Sequence, residues 1–202
     1  MQVEDSNTMN QIEPQDVVQG VIRFASGAVQ NSAKHDFMRA FNRHDHSGAA
    51  RILETRRDEF TAFQLASMNG LLAVEQGDIE RAERAFDHAK ECAANLMERA
   101  IVFENRSYLK LKLGQWDDAR ALCEEGIRAC GSVEGLYVNL LAALDRLGAE
   151  DEIRTVLETI PGIFPLDHGA LRLHLIHDPD LDGIRRHPEF ETVRALLEPK
   201  RR

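Results

Sequence analysis

The chain has 202 residues, of which 43% are hydrophobic, 29% are charged and only 6% are aromatic, and its formal net charge is −9. This composition is typical of a folded protein, long enough for one sizeable domain or for an elongated array of small units. The acidic balance argues against a surface for nucleic acid or for an anionic membrane, because both need clustered Lys and Arg side chains.

The cysteines and the N-terminal residues indicate the cellular compartment. Cys92, Cys123 and Cys130 form no Cys-x-x-Cys pair, so we expect reduced thiols that act as small apolar core residues. Residues 1–13 are polar, lack the features of a signal peptide and are expected to fray. No apolar run reaches the roughly 20 residues that a membrane span requires. The sequence therefore predicts a cytoplasmic protein.

Residues 14–31 carry apolar side chains at helical spacing. The spacing of i, i+3, i+4 and i+7 predicts an amphipathic helix that begins at Pro14. The apolar residues of this stripe are Val17, Val18, Val21, Ile22, Phe24, Ala25, Ala28 and Val29. We expect such a helix to cover the first exposed face of an array in the same chain, or the same face of a second molecule.

A fixed period dominates the middle of the chain. Asn105 and Asn139 are 34 positions apart, and so are Gly114 and Gly148. A period in this range is typical of stacked helix pairs, in which each pair buries its apolar face against the next. The sequence thus predicts consecutive helix-turn-helix units.

The clearest helix pair is predicted from five residues. Gly70 and Ala82 are small where two helices must approach closely, and Phe86 is the large side chain expected to fill the space beside them. Gly77 can adopt the left-handed conformation that ends the first helix, and Asp78 can cap the second.

These residues resemble the tetratricopeptide repeat (TPR) family. Its pattern is a large apolar residue, a small residue four positions later, Gly-Asp at the turn, and then Ala-x-x-x-Phe-x-x-Ala. The matching positions are Gly70, Gly77-Asp78, Ala82, Phe86 and Ala89 in the first unit; Phe103, Ser107, Gly114, Ala119, Cys123 and Gly126 in the second; and Leu141, Gly148, Ile153, Leu157 and Ile160 in a divergent third, which is expected to stop at Pro161-Gly162.

The resemblance implies an all-α fold, an α-solenoid of about four TPR-like helix-turn-helix pairs over residues 32–161. A weaker pair is expected over residues 32–60, with its turn at residues 45–48. The predicted N-terminal helix precedes the array. By the same resemblance, Trp116 is expected to pack between pairs, in the core.

Residues 162–202 are predicted to close the array with helices. A helix around Leu171 is expected first, then a turn-rich segment over residues 181–186, then a last helix opened by His187-Pro188. The string Asp178-Pro179-Asp180-Leu181 resembles a segment that often closes bacterial TPR arrays. A cap is needed because the last repeat would otherwise leave an apolar face in water.

In TPR arrays the first helix of each pair lines a concave groove. The resemblance implies groove positions at Ser67, Leu71, Val74, Ile101, Glu104, Asn105, Tyr108, Lys112, Val138, Asn139 and Arg146. Asn105 and Asn139 are the leading candidates, because an Asn amide can both donate to and accept from an extended peptide backbone. The alternative for both is a hydrogen bond to the neighbouring helix.

The groove composition bears on the kind of partner. Ser67 and Gly135 stand where the family uses basic residues to clamp a C-terminal carboxylate, so a chaperone tail is not expected. The mixture of apolar side chains with few charges suits an apolar or amphipathic segment.

No pattern for catalysis or for a metal stands out. The chain lacks Gly-x-Ser-x-Gly, the phosphate loop and the dinucleotide-binding glycines. Two histidines, His44 and His46, lie in the first turn, and no cysteine spacing or metalloprotease pattern supports zinc. A second group near the C-terminus comprises His168, His174, His177, Asp178 and His187. We therefore expect no enzyme activity, no cofactor and no metal site.

The sequence predicts a non-catalytic scaffold that binds a peptide or helix of another protein in its concave groove. One alternative is a homo-oligomeric adaptor in which residues 14–31 mediate self-association. A more distant alternative is a metal-dependent hydrolase that uses the C-terminal histidines.

Overall fold

The structure is a computed structural model that describes residues 32–164 and 170–197. These ranges contain ten α-helices and three short 3-10 turns and no β-strand, which confirms the prediction of an all-helical chain for the residues described. The predicted N-terminal helix over residues 14–31 lies outside them. The α-helices are α1 (Ser32–Asn42), α2 (His46–Thr55), α3 (Ala62–Glu75), α4 (Ile79–Cys92), α5 (Leu96–Lys112), α6 (Trp116–Cys130), α7 (Glu134–Leu147), α8 (Glu150–Ile163), α9 (Ala170–His177) and α10 (Phe190–Leu197).

Consecutive helices pack as pairs joined by short turns. Helix α1 packs on α2, α3 on α4, and α5 on α6. The pairs also pack on one another, because α5 contacts both α3 and α7, and α6 contacts α7. Helices α3, α5 and α7 therefore lie side by side, and we call them the inner layer.

Glycine ends the first helix of three successive pairs. Gly77, Gly114 and Gly148 have φ angles of 73°, 69° and 66°, in the left-handed region that favours glycine. At the first of these turns the Asp78 carboxylate accepts a hydrogen bond from the backbone N–H of Arg81 at 3.0 Å. Both the glycine stop and the aspartate cap predicted from the sequence are confirmed.

The contact between α3 and α4 depends on a missing side chain. A Cβ at Gly70 would lie 2.9 Å from Cζ of Phe86 and closer still to Cε1 and Cδ1 of that ring, so only glycine allows Phe86 to lie there. In the next pair the equivalent positions, each 37 residues later, hold Ser107 and Cys123. Both are fully buried. The larger residue on the first helix is thus matched by a smaller residue on the second.

Two predicted boundaries are wrong. Residues 46–48 are the first turn of α2 and not a loop, because the carboxylate of Asp45 accepts from the backbone N–H of Gly48 at 2.8 Å and caps the helix. The turn comes earlier, at residues 43–45, where His44 takes the left-handed φ of 56°. Helix α8 also does not stop at Pro161, since it continues to Ile163. Proline in a last turn loses a single backbone hydrogen bond, which the helix tolerates.

The C-terminal helices pack on the last pair. Helix α9, the 3-10 turns Pro179–Leu181 and Ile184–Arg186, and α10 follow in order, as the sequence predicts. Their buried side chains form one apolar cluster with α7 and α8, which includes Leu157, Leu171, Leu181 and Phe190. No helix of the described ranges is long and apolar enough to cross a membrane.

Substituting Gly70 tests the close approach of α3 and α4. We expect Gly70→Ala to lower the free energy of unfolding by about 1–3 kcal/mol, because the added methyl group must displace the Phe86 ring. Gly162→Ala is the control, since nothing lies within 4 Å of a Cβ in that helical position. It should be neutral or stabilising by up to about 1 kcal/mol. Urea denaturation measures both, and equal stability of the two variants would contradict this packing.

Thiol reactivity tests the burial of Cys123 in α6. Burial raises the pKa of Cys123 to about 12, above its ordinary value of 9.0. At pH 8 its thiolate population should be lower than that of an ordinary thiol by roughly three orders of magnitude. Iodoacetamide should therefore modify the partly exposed Cys92 in the folded protein and reach Cys123 only after unfolding. Peptide mass spectrometry gives the two rates, and similar rates in the folded state would refute the burial of Cys123.

Candidate functional site

Most of the predicted groove residues are buried in the inner layer. Between 0% and 7% of the surface is exposed at Ser67, Leu71, Val74, Ile101, Glu104, Asn105 and Val138. The accessible members are Tyr108, Lys112, Asn139 and Arg146, of which the first and third are only partly exposed. The apolar positions expected to receive a partner are therefore covered in this structure, and the exposed positions are mainly polar.

Asn139 links α7 to α5. Its side-chain amide donates to the backbone carbonyl of Glu104 at 3.0 Å and to Oγ of Ser107 at 2.9 Å. This is the second of the two roles open to Asn139, the hydrogen bond to a neighbouring helix. The amide nitrogen thus joins two members of the inner layer.

Asn105 holds the equivalent position in α5 but not the equivalent hydrogen bonds. Its Nδ2 is buried and has no hydrogen-bond partner among the described residues. In α3 the position that corresponds to Ser107 is Gly70, which has no hydroxyl group. Because the Phe86 ring excludes any side chain at Gly70, the hydroxyl acceptor, one of the two that Asn139 uses, is missing here.

The exposed end of the inner layer carries a connected polar group. The Tyr108 hydroxyl donates to Oε1 of Glu75 at 2.6 Å. Nζ of Lys112 lies 3.6 Å from the same oxygen and 5.2 Å from the centre of the Tyr108 ring. Burial, together with the adjacent Glu75 carboxylate, raises the pKa of Tyr108 above its ordinary value, so the hydroxyl stays protonated and donates.

Next to this group, Arg146 contacts both the Trp116 ring and Asp180 of the C-terminal segment. The guanidinium carbon of Arg146 lies 5.8 Å from the centre of the Trp116 ring, within the range of a cation–π contact. Arg146 also forms a 3.9 Å ion pair with Asp180. The prediction of a core position for Trp116 is wrong, because this residue is only partly buried.

These side chains surround a small cleft of about 90 Å³. Its walls are formed by Tyr108, Leu111, Lys112, Trp116, Ala142, Arg146 and Asp180. We call Tyr108, Lys112, Trp116, Arg146 and Asp180 the terminal strip. The sequence analysis did not identify Trp116 and Asp180 as surface residues. It assigned Trp116 to the core and Asp180 to the capping string Asp178-Pro179-Asp180-Leu181.

The C-terminal histidines have separate partners. Nδ1 of His174 lies 2.9 Å from the Asp178 carboxylate, and both side chains are buried. His187 lies between the carboxylates of Glu150 and Glu189, at 2.9 and 2.8 Å. His168 lies outside the described residues. Within the described ranges these histidines do not converge on a common point, since the only cluster of possible metal ligands there lies elsewhere.

We compared the chain with protein-family models, with curated proteins and with solved structures, and none of them matches it.

Leucine substitutions separate the two asparagines. Leu has as many side-chain heavy atoms as Asn but is bulkier and has no hydrogen-bonding group, so the two variants add a similar volume. We expect Asn139→Leu to destabilise by about 1–3 kcal/mol more than Asn105→Leu, because the Glu104 carbonyl and the Ser107 hydroxyl each lose the Asn139 amide as a donor. Asn105→Leu replaces an amide nitrogen that has no partner among the described residues, so no hydrogen bond from that nitrogen is lost. Urea midpoints of the two variants give the comparison, and a larger loss at Asn105 would contradict these assignments.

Proposed function

We propose that the chain is a non-catalytic scaffold of the cytoplasm, an α-solenoid of about four TPR-like helix pairs, that binds a segment of another protein without a cofactor. The main support for the proposal is that a glycine ends the first helix of successive pairs at the spacing of a repeat. Left-handed glycines end three successive first helices at Gly77, Gly114 and Gly148. Such recurrence is what stacked repeats require, because each unit contacts only its neighbours.

The arrangement of the inner layer supports the same proposal. Helix α5 contacts α3 on one side and α7 on the other, so consecutive first helices are neighbours, as in a solenoid. The small-and-large pair Gly70 and Phe86 is replaced in the next unit by Ser107 and Cys123. The two helix pairs therefore have different residues at equivalent positions, and in each pair the two residues are matched in size.

The terminal strip is the part of the predicted groove that a partner can reach. The side chains of Lys112 and Arg146 are 41% and 52% exposed. The 3.9 Å ion pair between Arg146 and Asp180 is long and exposed, so it contributes little and can be exchanged for another carboxylate. The rings of Tyr108 and Trp116 supply apolar surface beside the two cations.

The partner's chemistry follows from these side chains. A short amphipathic segment with one acidic residue fits the strip, because its carboxylate can meet Lys112 or Arg146 while its apolar side chains contact the rings. This is more charged than the apolar groove expected from the sequence. The covered positions Leu71, Val74, Ile101 and Val138 do not take part in this mode.

Charge reversal on the strip tests the proposal. Lys112→Glu together with Arg146→Glu should reduce recovery of a bound partner from native lysate by at least about tenfold, because like charges then oppose its carboxylate. The matched control is Lys90→Glu with Arg128→Glu, which reverses two exposed cations in the last turns of α4 and α6. The control should capture the partner as the unmodified chain does.

Quantitative mass spectrometry of the captured proteins provides the comparison. A partner retained equally by both double variants would contradict binding at the terminal strip. A partner lost equally from both would contradict the assignment of the inner layer as the binding side.

A further inference from the structure

Three possible metal ligands meet where the first helix pair touches α3. One ring nitrogen each from His44 and His46 and one carboxylate oxygen of Glu75 lie within 4.8 Å of one another. His44 is in the turn between α1 and α2, His46 is the first residue of α2, and Glu75 is the last residue of α3. The ligands therefore come from two different helix pairs.

The histidine rings are held in place by aromatic contacts. The His46 ring centre lies 5.9 Å from that of Phe41 and 6.0 Å from that of His44. Nε2 of His46 is buried and has no hydrogen-bond partner among the described residues. A buried polar atom without a partner costs free energy, and a bound cation would give this nitrogen one.

Glu75 is oriented by a second residue, as metal-binding carboxylates usually are. The hydroxyl of Tyr108 donates to its Oε1 at 2.6 Å. The carboxylate also stands at the C-terminal end of α3, where the helix dipole is negative. The carboxylate and the dipole together favour positive charge at this point, where Nζ of Lys112 already lies 3.6 Å from Oε1 of Glu75.

We propose that His44, His46 and Glu75 bind one Zn²⁺ ion, which fastens the first helix pair to α3. Two imidazoles and one carboxylate form a common protein ligand set for zinc, with a fourth position open to water. Ligands about 2.0–2.1 Å from a tetrahedral zinc ion lie about 3.4 Å apart. The present spacing, up to 4.8 Å, is wider, so zinc binding would draw the three ligand atoms together.

The proposed zinc site adjoins the terminal strip, because Glu75 accepts a hydrogen bond from Tyr108 and lies 3.6 Å from Nζ of Lys112. A zinc ion bound only by the folded protein stabilises the fold by mass action. Its expected effect is to hold the turn at residues 43–45 against the end of α3. Absence of zinc binding would leave the scaffold proposal standing, because that proposal is tested separately by partner capture with the Lys112→Glu, Arg146→Glu variant.

The test uses the full chain without an affinity tag, stripped of metal by a chelator and titrated with Zn²⁺ in a calorimeter. We expect one tightly bound ion per chain and a higher Tm with Zn²⁺ than without. His44→Asn and Glu75→Gln should each weaken binding by at least about 100-fold. Asparagine tolerates the left-handed φ at His44 and glutamine keeps an acceptor for Tyr108, so both variants are designed to fold.

Two further measurements make the result specific. Tyr108→Phe should weaken Zn²⁺ binding by about 10–100-fold, because Glu75 loses the hydrogen bond that orients it. His88→Ala is the matched control, since His88 lies 3.8 Å from Sγ of Cys92 and offers the obvious surface alternative. This control should bind Zn²⁺ as the unmodified chain does. The proposal is overturned if the unmodified chain binds no zinc, or if His88→Ala abolishes binding while His44→Asn does not.

Discussion

The approach of helix backbones within each pair determines the rest of this structure. At Gly70 the absence of a side chain lets the Phe86 ring lie directly on the backbone of α3, and the buried ring then fills the space between α3 and α4. Close packing of this kind leaves no room for an added methyl group. The same contact also decides which polar groups are satisfied, because a glycine offers no hydroxyl group to Asn105.

Much of the fold could be predicted from local signals. Glycine at the turns, aspartate at the cap and the small-and-large pattern each reflect a constraint that acts within a few residues, and the structure has them where expected at Gly77, Asp78 and Gly70. Boundaries were harder to predict. The Asp45 carboxylate caps α2, so the helix begins at His46, earlier in the chain than predicted. Helix α8 runs through Pro161 to Ile163, because a proline in the last turn removes only one backbone hydrogen bond.

Exposure and polar pairing could not be read from the sequence in the same way, because they depend on neighbours that are distant along the chain. The burial of Leu71 and Val74, the partial exposure of Trp116 and the pairing of Asn139 with α5 all follow from packing between helix pairs. The group formed by His44, His46 and Glu75 is another example. The two histidines are two positions apart in sequence, but the carboxylate beside them comes from the end of another helix.

The polar residues of the inner layer therefore divide into two groups. Asn139 and Ser107 hold helices together, so their amide and hydroxyl groups are used within the protein. Lys112 and Arg146 lie at the exposed end, where their charges are only loosely paired. In the proposed scaffold, polar packing contacts lie inside and recognition falls to the ends of the helices, where side chains can exchange partners at low cost.

The most direct test is to place the residues of one helix pair at the equivalent positions of another. A double-mutant cycle with Gly70→Ser and Phe86→Cys gives the α3–α4 pair the residues found at Ser107 and Cys123 in the α5–α6 pair. If consecutive pairs share one geometry, the hydroxyl clashes with the ring in the single variant but fits beside cysteine in the double variant. The double variant should then be more stable than the sum of the single effects by about 1–3 kcal/mol. Additive losses would show that the two positions do not face each other in a shared geometry, and would contradict the account.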